Sequence, residues 1–110
     1  MNWITLQQEE QLAQIKELSK TKAQVIFKHS SRCSISNVIK NRLEKGPTPS
    51  NIDFYFLDLI RYRDISNKVA EDFSVYHESP QVLLIKNGEC IYDESHSGIM
   101  MSEIEEQAEK

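Results

Sequence analysis

The amino-acid sequence predicts a small α/β fold of three layers, in which helices cover both faces of a mixed sheet. Short runs of β-branched and aromatic residues alternate with segments whose apolar residues recur at helical spacing. The last two such runs are joined by Asn87-Gly88, a typical hairpin turn, so the sheet should end in an antiparallel pair. The 110 residues suit one domain of this kind, which we predict over 1–110.

The first helix is predicted over residues 6–19, because apolar residues recur there at helical spacing. Thr5 and Gln8 have the spacing of a capping box at its start. Residues 3–5 could instead form a short edge strand, and the sequence leaves both readings open. The β-branched and aromatic run 24–28 predicts a strand that is covered on both faces.

The second helix is predicted to follow this strand almost directly. Residues 30–32 are typical of a helix start, and Gly46-Pro47 ends the segment. Cys33 is therefore expected at the beginning of a helix. The next run, 52–59, is rich in strand-forming residues and predicts the second strand.

The C-terminal half is predicted to hold two more helices and the hairpin. Asp64 can cap a helix whose apolar residues follow at every fourth position. The strands 81–86 and 89–93 flank the hairpin turn. Ser102 and Glu105 have capping-box spacing before a short terminal helix. The predicted order is α, β, α, β, α, β, β, α, with four strands.

Composition is that of a soluble folded protein. Hydrophobic residues make up 39% and charged residues 27% of the chain, which excludes disordered and fibrous classes. The formal net charge of -4 argues against nucleic acid or a membrane surface as partner. The longest aliphatic run, 82–85, is too short to span a bilayer. The first residues do not resemble a secretory signal, so we expect a cytoplasmic protein.

The two cysteines, Cys33 and Cys90, are too few for a disulfide scaffold or a zinc site, so any role is that of a thiol. A helix start stabilises a thiolate through its free amides and positive dipole end, which favours Cys33 as a nucleophile. Arg32 beside it and Lys28 upstream are expected to add positive charge. The alternative is that Cys33 is a small buried apolar residue, as many free cysteines are.

Ser79-Pro80 stands immediately before the strand 81–86, where the thioredoxin superfamily has a proline. The preceding helix and the following hairpin appear in the same order, so nearly the whole chain resembles that superfamily. The resemblance implies a thioredoxin-like fold with a mixed four-stranded central sheet flanked by helices. It also implies a cis peptide before Pro80 that faces Cys33, and a Ser79 backbone that pairs with the substrate. The alternative is a proline that merely begins a strand.

The segment Cys33-Ser34-Ile35-Ser36 departs from the dithiol thioredoxins, which carry a second cysteine at its last position. The resemblance therefore implies monothiol chemistry. Phe27 stands where thioredoxins often have a carboxylate that serves the second cysteine, and this absence agrees with the loss of that thiol. Ser36 either donates a hydrogen bond to the Cys33 thiolate or is an ordinary residue of the first helical turn.

Cys90 is not expected to replace the missing thiol. The strand that leaves Pro80 runs about 20 Å from the reactive end, at ~3.4 Å per residue, before the turn at Asn87-Gly88. Cys90 should lie near the far end of the sheet.

The returning strand brings His96 and Gly98 back to the reactive end. His96 either lines the pocket around the thiol or is an exposed loop histidine. His29, at the end of the first long strand, is the other candidate for the pocket. His77 is predicted to be an ordinary loop residue.

Three strings, 27–36, 78–81 and 95–98, resemble the monothiol bacilliredoxin family, also called YtxJ-like. In that family lysine, histidine and serine precede the cysteine segment, as Lys28-His29-Ser30 do here. Ser34 stands where that family frequently has proline, a departure that concerns the loop and not the nucleophile. The resemblance implies that Cys33 removes bacillithiol, a low-molecular-weight thiol, from mixed disulfides on cytoplasmic proteins.

Partners and cofactors follow from the same resemblance. Bacillithiol is expected as co-substrate, S-thiolated cytoplasmic proteins as clients, no metal or tightly bound cofactor, and a monomer. Glutathione and coenzyme A are the alternative small thiols. The alternative to an enzyme is a non-catalytic thioredoxin-fold binding or adaptor module in redox or stress response. The candidate site residues around Cys33 are Arg32, Ser34, Ser36, Ser79, Pro80, His29, His96 and Gly98.

Overall fold

A computed structural model describes all 110 residues and shows five strands and four α-helices. The elements in chain order are β1 (Ile4–Thr5), α1 (Glu10–Leu18), β2 (Ala23–His29), α2 (Ser34–Glu44), β3 (Ile52–Asp58), α3 (Arg63–Asp72), β4 (Gln81–Lys86), β5 (Glu89–Ser95), a 3₁₀ turn (His96–Gly98) and α4 (Met101–Ala108). None of the helices combines the length and the apolar composition that crossing a bilayer requires.

The sheet is mixed, with strand order β1-β3-β2-β4-β5. The first three strands in that order run parallel, and β4 and β5 are antiparallel additions. The predicted α/β class is confirmed, whereas the predicted strand number is one too low. The extra strand is the edge strand that the sequence left open, because Ile4 and Thr5 pair with Tyr55 and Phe56.

The predicted start of the first helix is wrong by four residues. Leu6 does not begin the helix: its N–H donates to the Phe56 carbonyl at 2.9 Å, which prolongs the pairing of β1 with β3. The Gln11 side chain then accepts the N–H groups of Gln7 and Gln8 at 2.8 and 2.9 Å. The helix begins only at Glu10, and the capping box is not formed.

The two other predicted caps are also not used. Asp64 lies inside the first turn of α3, and Tyr62 occupies the N-cap position without a side-chain bond. Ser102 lies inside α4, whose N-cap is Met100 in extended conformation. A capping side chain must belong to the residue just outside the helix, and each of these helices begins two residues earlier than the pattern implied.

The central strand β2 is buried along its whole length, as its sequence predicted. Its side chains alternate between two apolar clusters, one on each face of the sheet. The face of Val25 and Phe27 packs against α2 and α4, and the face of Ile26 packs against α1 and α3. This arrangement confirms the three layers.

The segments predicted to be reactive lie together at one end of the sheet. In the β2–β4 ladder the last pair is Lys28 with Gln81, so β2 ends where β4 begins. The segment from β2 to Cys33 therefore lies at the same end of the sheet as the segment that enters β4 through Pro80. At the same end, the N–H of Leu59, just after β3, donates to the His29 carbonyl at 3.0 Å and joins β3 to the end of β2.

Candidate active site around Cys33

Cys33 is the N-cap residue of α2, as predicted from the strand, loop and helix signals. Its backbone is extended, with φ -107° and ψ 117°, and the first intrahelical bond runs from the Asn37 N–H to its carbonyl at 3.2 Å. The amides of the first helical turn precede that bond and have no intrahelical acceptor. The Cys33 side chain is half-buried and makes no capping hydrogen bond. A sulfur in this place can be reached by a partner from solvent and lies beside the free amides of the helix start.

The short loop before Cys33 is fixed by its own backbone. The Cys33 N–H donates to the Ser30 carbonyl at 3.1 Å, and the Asn37 side chain donates to the Ser31 carbonyl at 3.3 Å. Arg32 and Ser34, which flank the cysteine, are both exposed. Arg32 therefore brings a positive charge to the surface next to the thiol without a protein carboxylate bound to it.

Ser36 and His29 support this loop from inside the protein. Ser36 is fully buried, and its hydroxyl lies 2.7 Å from His29 Nδ1 while accepting the Ser30 N–H at 3.1 Å. The His29 ring is buried next to the rings of Phe27 and Phe56. In this structure the Ser36 hydroxyl is thus engaged with His29 and Ser30, and His29 lies beneath the loop instead of on a pocket surface.

Burial determines the charge of His29. It lowers the pKa of this imidazole, and the Lys40 ammonium lowers it further, against weaker opposite effects of Asp58 and Glu44. The neutral ring can then accept the Ser36 proton at Nδ1. This assignment gives the Ser36 hydroxyl and His29 Nδ1 their partners, because the Ser36 oxygen accepts from Ser30 and its hydrogen points to His29.

The Ser79-Pro80 peptide is cis, the geometry that the thioredoxin resemblance implied. Pro80 is buried and Ser79 is half-buried. The Ser79 hydroxyl has no hydrogen-bond partner in the protein. The segment before it is held by Gln81, whose amide donates to the Tyr76 carbonyl at 2.9 Å and accepts the Glu78 N–H at 3.4 Å.

His96 lies against this segment. Its N–H donates to the Pro80 carbonyl at 3.0 Å, and its Nε2 is 3.4 Å from a carboxylate oxygen of Glu78. Both side chains are about half exposed, 50% and 49%. The predicted return of β5 to the reactive end is therefore confirmed for His96, whose backbone adopts a positive φ of 56° to make the turn.

Gly98 has a neighbour that the sequence analysis did not identify. A Cβ at this position would lie 2.8 Å from the carboxyl carbon of Glu94, and that carboxylate accepts the Ser95 N–H at 2.9 Å. Gly98 thus makes room for the Glu94 side chain. Arg42 of α2 donates to the carbonyls of Ser97 and Ile99 at 2.9 and 3.0 Å, which joins the cysteine helix to the 3₁₀ turn.

Comparison with known proteins agrees with this geometry. Residues 4–104 match the family model described as monothiol bacilliredoxin BrxC. The chain belongs to the monothiol bacilliredoxin family. Membership assigns it a thiol redox role.

Solved structures show the same fold. One, described as a candidate oxidoreductase with a thioredoxin fold, is 33% identical over 97% of this chain and 93% of its own, with a TM-score of 0.82. A thioredoxin from Malassezia sympodialis is 19% identical, with coverages of 97% and 91% and a TM-score of 0.76. A thioredoxin from Fasciola hepatica is 18% identical, with coverages of 96% and 95% and a TM-score of 0.70. The fold is that of thioredoxin.

The second cysteine of this bacilliredoxin lies at the opposite end of the sheet, as predicted. Cys90 pairs with Ile85 beside the hairpin turn, and its S–H donates to the Tyr92 carbonyl at 3.3 Å. Burial raises the pKa of the Cys90 thiol to about 11. It can neither approach Cys33 nor ionise readily at neutral pH.

The predicted help from Lys28 to Cys33 is wrong. Lys28 and the helix of Cys33 lie on opposite faces of the sheet, because side chains alternate along β2 and Phe27 faces that helix. The Lys28 ammonium is buried and donates to the Ser66 carbonyl of α3 at 3.2 Å, with His77 Nδ1 also at 3.2 Å. His77, predicted to be an ordinary loop residue, is thus bonded to a buried lysine.

A sequence signal for this contact existed. Lys28 follows Ile26 by two positions, so both side chains point to the same face of a strand covered on both sides.

Groups of three or more His, Cys, Asp or Glu side chains that could hold a metal ion do not occur in the structure.

Proposed function

We propose that this protein is a monothiol thiol-disulfide oxidoreductase in which Cys33 removes bacillithiol from mixed disulfides on S-thiolated cytoplasmic proteins. The observation that carries the proposal is the half-buried, unbonded Cys33 side chain at the N-cap of α2. Family membership supports the choice of bacillithiol among small thiols.

The reaction is a thiol exchange in two steps. The Cys33 thiolate attacks the bacillithiol sulfur of the client mixed disulfide, the old sulfur–sulfur bond breaks, and the client leaves as a thiolate that takes a proton from water. Cys33 is then joined to bacillithiol. A second bacillithiol thiolate attacks the bacillithiol sulfur of this adduct, which releases the Cys33 thiolate and oxidised bacillithiol.

The second step requires an external thiol because the chain offers no nearby one. Ser36 occupies the place of a resolving cysteine, and its hydroxyl is bound to His29 and Ser30. Cys90 lies at the far end of the sheet. We therefore expect the Cys33–bacillithiol adduct to persist until free bacillithiol is added.

Mass spectrometry of the intact protein after incubation with oxidised bacillithiol tests the proposal. We expect one adduct per chain, located on Cys33 by peptide mapping, present in Cys90→Ala and absent in Cys33→Ala. Addition of free bacillithiol should remove it, and a client protein carrying the mixed disulfide should lose its own adduct.

Parallel incubations with oxidised glutathione and with coenzyme A disulfide identify the preferred thiol. A faster reaction with one of these would assign another co-substrate to the same chemistry. An adduct on Cys90, or none on Cys33, would defeat the enzymatic proposal and favour a binding module.

A further inference from the structure

Lys28 is an unusual residue to find buried near the end of the central strand β2. Its side chain is fully buried, with 0% exposure, and no carboxylate bonds to its ammonium. Burying an ammonium is costly unless its N–H groups are satisfied, so fully buried lysines are rare. Its contacts are the Ser66 carbonyl and His77 Nδ1, each at 3.2 Å.

These contacts lead from the sheet to the segment that carries Ser79-Pro80. His77 stands two residues before Ser79, and its Nδ1 is also 3.4 Å from the Ser66 hydroxyl. Lys28 therefore joins β2, the helix α3 and this segment at one point. His77 is itself exposed, so the contact is made by the inner edge of its ring.

A neighbouring side chain holds the same segment. Gln81 is the direct partner of Lys28 in the β2–β4 ladder. It binds the Tyr76 carbonyl and the Glu78 N–H, on either side of His77. The adjacent side chains of Lys28 and Gln81, at this end of the sheet, thus anchor the three consecutive residues 76–78.

The charges suit a hydrogen bond from lysine to histidine. Burial lowers the pKa of Lys28 to about 8, so the ammonium form still prevails at pH 7. Burial also lowers the pKa of His77, helped by Lys28 and Arg63 and opposed by Glu78. A neutral imidazole then accepts the Lys28 proton at Nδ1.

We propose that Lys28, acting through His77, is a positioning residue that holds segment 75–79 where the Ser79 backbone can receive the client chain. The contact between Ser79 and a client protein rests on the proposed function, whereas the anchoring of segment 75–79 by Lys28 does not. Lys28 touches no reacting atom.

The experiment compares Lys28→Met with Lys86→Met as a matched control. Lys86 also donates its ammonium to a backbone carbonyl, that of Ala108 at 2.8 Å, but at the other end of β4. Met keeps most of the volume of Lys28 and removes the cost of a buried charge, which offsets the loss of its two hydrogen bonds, so the unfolding midpoint should not fall. If Lys28 served only to stabilise the fold, its replacement should lower the unfolding midpoint.

Two readouts separate anchoring from chemistry. Hydrogen exchange of the amides in 75–79 should accelerate in Lys28→Met and stay unchanged in Lys86→Met. The kcat/KM for a protein mixed disulfide should fall about tenfold in Lys28→Met, as expected for a misplaced binding segment. The rate of Cys33 alkylation by iodoacetamide, which needs no client contact, should not change.

A third variant tests the path through His77. His77→Ala should reproduce the effects of Lys28→Met, and the double variant should lose no more than either single one. Wild-type exchange and kinetics in Lys28→Met, or effects that add in the double variant, would overturn the inference. If Lys28→Met does not fold, the exposed His77→Ala gives the same test. A wild-type protein without transfer activity would defeat the proposed function alone, because the exchange readout still tests the anchor.

Discussion

Cys33 and Cys90 are the same side chain in opposite surroundings. The first stands outside a helix, before amides that have no intrahelical acceptor, and its sulfur makes no capping bond. The second lies within an antiparallel pair, donates its S–H to a carbonyl, and has a pKa raised by burial to about 11. Both side chains are half-buried, so their difference teaches that overall exposure does not distinguish the two thiols, whereas the groups around each sulfur do.

The two ends of the sheet differ in the same way. At the far end, the Asn87 and Gly88 N–H groups donate to the Ser19 carbonyl and hydroxyl at 2.9 and 2.8 Å, and Lys86 binds a carbonyl of α4. At the reactive end, the first-turn amides of α2 and the hydroxyl of Ser79 are left without protein partners. The hairpin at the far end is thus held by bonds within the chain, and the reactive end retains free amides and a free hydroxyl next to Cys33 and Pro80.

The sharpest test of this comparison is selective alkylation. At pH 8 only about one Cys90 thiol in a thousand is ionised if its pKa is about 11. We expect iodoacetamide to label Cys33 at least ~100-fold faster than Cys90 in the native protein, as measured by peptide mapping over time.

Unfolding supplies the control for that test. In concentrated denaturant the two cysteines lose their surroundings, so their labelling rates should become similar. Comparable rates in the native protein would contradict the contrast between the two sites.

A second prediction concerns Lys28 at the reactive end and the dependence of stability on pH. Its pKa is about 8 in the folded protein and 10.5 as the ordinary value, so the unfolded chain binds more protons between these values. Stability from this residue therefore rises as pH increases from 8 to 10.5, by on the order of 3 kcal/mol. Denaturation by urea at several pH values should show that the stability of wild type increases by this amount relative to that of Lys28→Met.

The difference between the two proteins is the quantity to measure. Burial raises the pKa values of Cys90, Tyr55 and Tyr92, which makes stability fall at high pH in both proteins alike. Lys86→Met at the far end should keep the pH dependence of wild type. Parallel pH curves for wild type and Lys28→Met would show that the Lys28 ammonium is not desolvated.

Most of the scaffold could be predicted from local patterns. The strand β2 is centred on the β-branched and aromatic run Val25-Ile26-Phe27, and the start of α2 follows from residues that are adjacent in sequence. The position of Cys90 followed from strand rise and one turn. These features depend on periodicity and chain reversal, which a single sequence displays directly.

Features that depend on distant residues were left open, missed or predicted wrongly. The two-residue β1 exists because β3 offers it a partner, and that pairing displaces the start of α1. The burial of Lys28 requires α3 and His77, which lie far along the chain. The role of Ser36 as a partner of His29 likewise depends on how the loop closes, which residue spacing does not encode.

Two buried serines allow the ends of the sheet to be compared with one substitution each. Ser36 at the reactive end binds His29 and the Ser30 N–H, and Ser19 at the far end accepts the Gly88 N–H and donates to the Lys16 carbonyl. Each serine to alanine change leaves two polar groups without their partner. We expect Ser36→Ala and Ser19→Ala to lower the free energy of unfolding by a similar ~1–3 kcal/mol, measured by urea denaturation.

Activity should separate the two variants where stability does not. Loss of the Ser36 hydroxyl releases the loop that places Cys33, so the rate of adduct formation with oxidised bacillithiol should fall in Ser36→Ala. Ser19→Ala should react like wild type under conditions where both are folded, because Ser19 contacts only the hairpin and α1. Equal losses of rate in the two variants would mean that reactivity follows overall stability, and the contrast between the ends of the sheet would then have no functional meaning.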